Sequence, residues 1–236
     1  MKTKTLLRIA ALLLVPTLSY MNVRAQSKNV AVKDFNSIGV SSGIDLYLTQ
    51  GPSENLTIKG SQDLIKDVVV EQEGNSLTIK YKEGINWSRM FKNQSIKVYV
   101  TYKSLKAVAA SGGSDVYTEN TLKSDALSVA ASGGSDVKLT LSVKNFRLAI
   151  SGGSDAELRG TGENISIAAS GGSDIEAFNF VAENAKVIVS GGSDANINVS
   201  KALDAMASGG SDINYKGNPA VKKNGVSKSG DINHVN

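Results

Sequence analysis

The chain has no cysteine. That absence excludes disulfides, thiol catalysis, thiolate metal sites and a lipid carried on an N-terminal cysteine. Histidine occurs once, as His234 in the last few residues, where a solvated side chain is expected rather than a general base. A Ser-His-Asp set is not expected. Long apolar runs are also missing. The one sustained run, Ile9–Leu18, is too short to span a bilayer as a helix. It follows Lys2, Lys4 and Arg8 and precedes the small residues Val23 and Ala25, the pattern of a secretory signal with cleavage expected after Ala25. No transmembrane segment is expected once residues 1–25 are removed.

An excess of basic charge is lacking as well, once that segment is set aside. It holds four of the 26 Lys and Arg residues and none of the 22 Asp and Glu residues. The remainder carries 22 of each sign and has no basic field for a nucleic-acid partner. About two hundred residues are left, enough to bury one core.

What is present is a repeat. SGGSD occurs at Ser111–Asp115, Ser132–Asp136, Ser151–Asp155, Ser170–Asp174, Ser190–Asp194 and Ser208–Asp212, with a worn SGD at Ser229–Asp231. The aspartates are 21, 19, 19, 20, 18 and 19 residues apart. One and three positions before each leading Ser the residues are apolar, as in Ile150 and Leu148, whereas four before it stand Ala107, Ser128, Arg147, Ser166, Lys186 and Asp204. Just after each Asp comes Val116, Val137, Ala156, Ile175, Ala195 or Ile213. This is period-two alternation on both sides of a corner. Such strands bury their apolar faces only by stacking repeat on repeat. The fold expected is all-β: a single-stranded right-handed parallel β-helix with coils of about 19 residues. Paired glycines supply positive φ and close approach of neighbouring coils, while Ser and Asp bond local backbone N–H groups.

Residues 26–104 lack the pentapeptide but alternate, and read as N-terminal strand-rich capping coils. Gly43-Ile44-Asp45 looks like a divergent corner, and residues 63–70 read as a short helix or strand. Residues 105–236 form the regular SGGSD coils and end in a polar tail.

The sequence SSGIDLYLTQG, EGIN at Glu83–Asn86, KVYVTY, the ladder of SGGSD corners and SDINYKGNP, in that order, resemble the head GIN domain family of auto-transporter adhesins, common in Bacteroidetes. The resemblance covers about residues 30–232. It implies a right-handed parallel β-helix in an exported protein of the periplasm, cell surface or outer membrane, with no established catalytic residues. The alternating strands of a membrane barrel do not occur before Asn236, so surface placement is expected to need another machine or partner.

Three groups of residues are candidates for binding. Asp115, Asp136, Asp155, Asp174, Asp194 and Asp212 would stand one coil apart, about 4.8 Å, where like charges repel and a weak calcium ladder is one remedy. Corner hydrogen bonding is the other, and no cofactor is expected beyond that calcium. Trp87, Arg89, Phe91 and Lys92 join aromatic and cationic groups in one segment, either a binding spot or a cap over the open end. Ala109, Ala130, Ala149, Ala168, Ile188 and Met206 alternate outward and form a strip able to dock a partner or a second copy as a homo-oligomer. The function expected is a non-enzymatic exported binding or adhesion protein that presents a rigid surface to a glycan or to a cell-surface or envelope protein. An envelope scaffold is the alternative. A carbohydrate-active enzyme would need a specific carboxylate pair, whereas most carboxylates here belong to the repeat.

Overall fold

A computed structural model describes residues 26–85, 95–226 and 230–236. The expected signal segment and the four residues Trp87, Arg89, Phe91 and Lys92 lie outside the described residues. Nearly all of the rest is strand, arranged as a β-solenoid of about six turns, about 19 residues apart.

Each turn follows from the alternation. The chain runs up to a corner, turns through Ser-Gly-Gly-Ser-Asp and leaves along a second direction. On the approach side β2 (Ser37–Ser41), β8 (Ala107–Ser111), β10 (Leu122–Ser132), β11 (Val137–Ser151), β12 (Ala156–Ser170), β13 (Ile175–Ser190), β14 (Ala195–Ser208) and β16 (Ala220–Val226) stack in parallel. On the exit side β3 (Ile44–Gln50) and β9 (Val116–Thr118) are followed by the first halves of β11 to β14, then β15 (Asp212–Lys216) and β17 (Asp231–His234). The long strands therefore serve both sheets, bending between their halves. The stretch after Asp212 is thus less frayed than a polar tail suggests: β16 and β17 complete a last coil.

Register puts like on like. Leu46, Val116, Val137, Ala156, Ile175, Ala195, Ile213 and Ile232 form one inward column, all buried. Burying each of its larger members contributes roughly 1.5–3 kcal/mol, and no coil could collect that alone. In all six pentapeptides both glycines lie at φ between 62° and 77°. A Cβ on the first of each pair would stand 3.1–3.4 Å from a backbone nitrogen of the preceding coil; one on Gly113, Gly134, Gly153, Gly172 or Gly192 would meet nothing within 4 Å. The first glycine is thus required for approach and for φ, the second for φ alone.

The N-terminal region departs from simple stacking. The corner Ser41-Ser42-Gly43-Ile44-Asp45 pairs residue for residue with Ser111–Asp115, since Ser41 faces Ser111 and Leu46 faces Val116. It is a true corner, with Ser42 at φ 71° and Gly43 at φ 74°. After β3 the chain leaves the stack. β4 (Asn55–Gly60) runs antiparallel to both β1 (Gln26–Val30) and β7 (Ile96–Tyr102). A single turn of helix, α1 (Gln62–Ile65), buries Leu64 and Ile65. Then β5 (Val68–Glu73) forms a hairpin with β6 (Ser76–Tyr81), turned at Gly74 with φ 57°. β6 returns parallel to β2, and β7 parallel to β3. The coil made of β6 and β7 thus lies outside the coil made of β2 and β3, although it is synthesised later. The chain then crosses back to begin β8 on the opposite side. Residues 63–70 hold both readings made from sequence: the helix ends at Ile65 and a strand starts at Val68.

Candidate functional site

Two hydrogen-bond ladders run through the corners in opposite senses. The second Ser of each pentapeptide is fully buried. Its hydroxyl accepts the backbone N–H of the equivalent residue one coil earlier: Ser114 N–H donates to Ser135 Oγ at 3.1 Å, and Ser135 N–H to Ser154 Oγ at 3.1 Å. The series runs from Ile44 N–H on Ser114 Oγ to Ser193 N–H on Ser211 Oγ. The aspartates work the other way. Asp115 Oδ1 accepts Asp136 N–H at 3.1 Å, Asp136 Oδ1 accepts Asp155 N–H at 3.2 Å, and the pattern continues to Asp231 N–H on Asp212 Oδ1 at 3.1 Å.

The structure therefore brings Asp115, Asp136, Asp155, Asp174, Asp194 and Asp212 into one column, as the spacing requires. Each of the six gives one carboxylate oxygen to the next coil. Among the described residues no three acidic or histidine side chains converge as a metal site would need. The column is a hydrogen-bonded seam that ties each coil to the next.

Asp45 and Lys97 extend this column at the N-terminal end, since Ile44 pairs with Ile96 and Asp45 with Lys97. Burial, and then the neighbouring charge of Asp115, pushes the Asp45 carboxyl above its usual range, against the opposing pull of Lys97. Two positions on, Tyr99, Tyr47 and Tyr117 stand in adjacent strands and stack, with centroids 4.8 and 5.0 Å apart. Lys59 Nζ lies 4.2 Å from the Tyr99 ring centre, closing that end of the stack. The Tyr117 hydroxyl donates to Asp115 Oδ2 at 3.1 Å. Sequence reasoning missed this stack because its rings come from β7, β3 and β9, which are not consecutive. In the later coils the same column continues as Lys138, Glu157, Glu176, Asn196 and Asn214, with Asn196 Nδ2 on Glu176 Oε1 at 2.7 Å and Asn214 Nδ2 on Asn196 Oδ1 at 3.0 Å.

On the approach sheet Ala109, Ala130, Ala149, Ala168, Ile188 and Met206 pair in that order across successive strands. All but the half-buried Ile188 are exposed. Gly39 and Thr78 continue the column into the N-terminal coils. The strip is one unbroken outward column, uncovered among the described residues.

A further feature was not legible in the sequence. Where the long strands bend, a trough of about 890 Å³ crosses successive coils. One side carries Lys123, Ser142, Thr161 and Val181 in register. The other carries Asp125, Lys144, Glu163 and Glu183. Lys144 bridges Asp125 at 2.7 Å, and Lys201 bridges Glu183 at 2.6 Å. These exposed pairs add little to stability, but they line the trough with donors and acceptors. The lone histidine is remote from it: the His234 ring nitrogen Nε2 bonds Gly217 O at 2.8 Å, and the ring packs at 5.1 Å from Tyr215.

Solved structures share this architecture. A crystal structure from Bacteroides fragilis, described as a "putative adhesin", superposes with a TM-score of 0.81 at 27% identity, covering 90% of this chain and 97% of that one. Another protein so described, from Parabacteroides merdae, gives 0.73 at 23% identity over 91% and 98% of the two chains. A Parabacteroides distasonis protein described as a "putative lipid binding protein" gives 0.72 at 21% identity over 91% and 98%. The last two show the shared fold alone. No curated protein matches the sequence. Residues 34–219, from the turn before the first corner to the last coil, match one family along the whole ladder of corners, and the chain belongs to it: the family described as "putative auto-transporter adhesin, head GIN domain".

Proposed function

We propose that this is a non-enzymatic, exported binding protein of the adhesion type, which presents one side of a rigid solenoid to a glycan or to a cell-surface or envelope protein. The trough carries the reading. It is open and elongated, it crosses several coils, and it is lined by the hydroxyls of Ser142, Thr161 and Ser200 together with the charged groups of Lys123, Asp125, Lys144, Glu163 and Glu183. An extended polar chain laid along the solenoid axis would meet a new set of donors and acceptors every coil, about every 4.8 Å. The repeat's own polar groups are mostly unavailable, because the buried Ser hydroxyls and one oxygen of each corner Asp are committed to neighbouring coils. The family assignment and the adhesin descriptions of its structural relatives agree with a binding role.

The test is binding of the purified protein to a panel of glycans and matrix proteins, with calcium and chelator arms, beside a Thr161→Arg variant that fills the trough from an outward position. Specific binding lost in the variant supports the reading. Binding that ignores the variant moves the site elsewhere, and no binding by the folded protein defeats the proposal for those ligands.

A further inference from the structure

We infer that the outward face of the approach sheet is a self-association surface, on which a second copy of the chain packs antiparallel across a two-fold axis. The face has three outward columns. The corner column is serine throughout, from Ser111 to Ser208; the middle column is Ala109 to Met206; the third holds Ala107, Ser128, Arg147, Ser166, Lys186 and Asp204.

Size and charge are distributed unevenly along these columns, and the unevenness is self-complementary. Let a two-fold axis lie along the strand direction, between the coils of Ala149 and Ala168. In the middle column it sets Met206 against Ala109, Ile188 against Ala130 and Ala168 against Ala149. Each large side chain then faces a small one. In the third column it sets Arg147 against Ser166, Lys186 against Ser128 and Asp204 against Ala107. Every charged side chain faces a small uncharged one, and because this column is the edge of the face these side chains reach water past it; the two copies' Arg147 stand one coil apart there. The match extends one coil further: Lys222, paired with Asp204 in its own chain, falls opposite Ser37, which pairs with Ala107. A two-fold along the solenoid axis does the reverse in the middle column. It would oppose Met206 to Met206 and Ile188 to Ile188, wedging the sheets apart and leaving the alanines out of contact.

The face measures about 13 Å across the columns and roughly 24 Å over six coils from strand and residue spacings. With side-chain margins, two copies bury about 1,000 Å², the lower end for specific pairs. Association is therefore concentration-dependent. The trough lies at the bend, outside these columns, so the pairing stands whatever the trough binds.

Cross-linking tests the register, because the chain has no cysteine of its own. Ala130→Cys and Ile188→Cys in one chain stand three coils apart, about 14 Å, beyond disulfide reach. Across the two-fold they face each other. Mild oxidation of the double variant should give a covalent dimer, while neither single variant should, since its two thiols would also be three coils apart. Sedimentation of the unmodified protein should show a monomer–dimer equilibrium, weakened at least about tenfold by Ala149→Arg at the centre, where a charge would be buried without a partner. Efficient linking by Ala130→Cys alone would indicate a parallel pair and overturn the inference. So would a folded protein that stays monomeric at millimolar concentration, or a double variant that fails to link while the native chain dimerises.

Discussion

The coils from Ser111 onward and the segment from Gly51 to Lys106 build the same kind of wall by different rules. In the regular coils each strand lies on the strand of the previous repeat, and each corner Ser and Asp bonds the equivalent residue one coil away. In the earlier segment β4 pairs antiparallel with β1 and β7, β5 pairs antiparallel with β6, a turn of helix intervenes, and the coil of β6 and β7 is placed outside a coil that precedes it in the chain. The local anchors are correspondingly individual. Glu54 accepts the Asp34 N–H at 2.9 Å and approaches Lys103 Nζ at 3.4 Å. The regular half gains from repetition, since one solution to a corner serves every coil. It is also exposed by it, since a fault in one coil is felt by both neighbours. The earlier half gives up that uniformity and lays β4 and β5 along the outer edges of β7 and β6, edges that would otherwise invite aggregation.

The largest contrast should come from glycine. Gly160 has φ 113°, and a Cβ there would stand 2.0 Å from Leu141 O. Gly160→Ala should lose about 3 kcal/mol or more, by strain and by parting two coils. Gly74, at φ 57° in the β5–β6 turn, has open space around it, so Gly74→Ala should lose only about 1–2 kcal/mol. Chemical denaturation measures both, and equal losses would remove the distinction between the halves.

Next in size is the buried hydroxyl. Ser154→Ala leaves the Ser135 N–H without its acceptor in the interior and should lose about 1–3 kcal/mol. The equivalent place in the first coil is the buried Ile44. Ser114→Ala, which faces it, should lose a similar amount, because Ile44 N–H also donates across the gap. A negligible loss at either site would show that backbone or water takes over the bond.

Acid and base should then separate two carboxylates, Asp45 in the first corner and Glu54 in the irregular segment after it. The Glu54 carboxyl is held below its usual range, first by the Asp34 N–H and also by Lys103. Its stabilisation is present above the unfolded-state value and is lost as pH falls through the folded one. The Asp45 carboxyl is raised, chiefly by burial. The folded state holds that proton more tightly, so stability falls as pH rises from the ordinary carboxylate value to the raised one. Glu54→Gln should therefore lower stability at neutral pH, and Asp45→Asn should raise it. Thermal unfolding at pH 3 to 8 would show both slopes, and a shared sign would overturn the assignment.

Calcium is expected to do least. One oxygen of each of the six corner Asp residues is already accepting a backbone N–H, so calcium against chelator should move the melting midpoint by less than about 2 °C, under roughly 1 kcal/mol. A larger shift would turn the seam into a metal site.

The regular half was readable because its register is written in letters. Once Ser and Asp recur with apolar residues at fixed offsets, stacking follows, and even Gly43-Ile44-Asp45 shows its corner. The earlier segment was readable only as strands. Alternation in IDLYLTQ or SLTIKY gives a buried face, but neither a direction nor a partner, so antiparallel pairing and the displaced coil had no sequence mark. The tyrosine stack and the trough share that origin. Each joins side chains whose proximity depends on which strands are neighbours, or on where a strand bends.

The two opposed ladders also bear on how such a chain changes over generations. Every corner offers its neighbours the same acceptor on one side and the same donor on the other. A whole repeat, such as the nineteen residues from Ala156 to Asp174, can be lost or duplicated and the flanking coils still meet a matching Ser and Asp. Removing half a repeat breaks both seams at once. Evolution can therefore lengthen or shorten this protein only in steps of one coil, and the reach of its binding side is inherited as an integer.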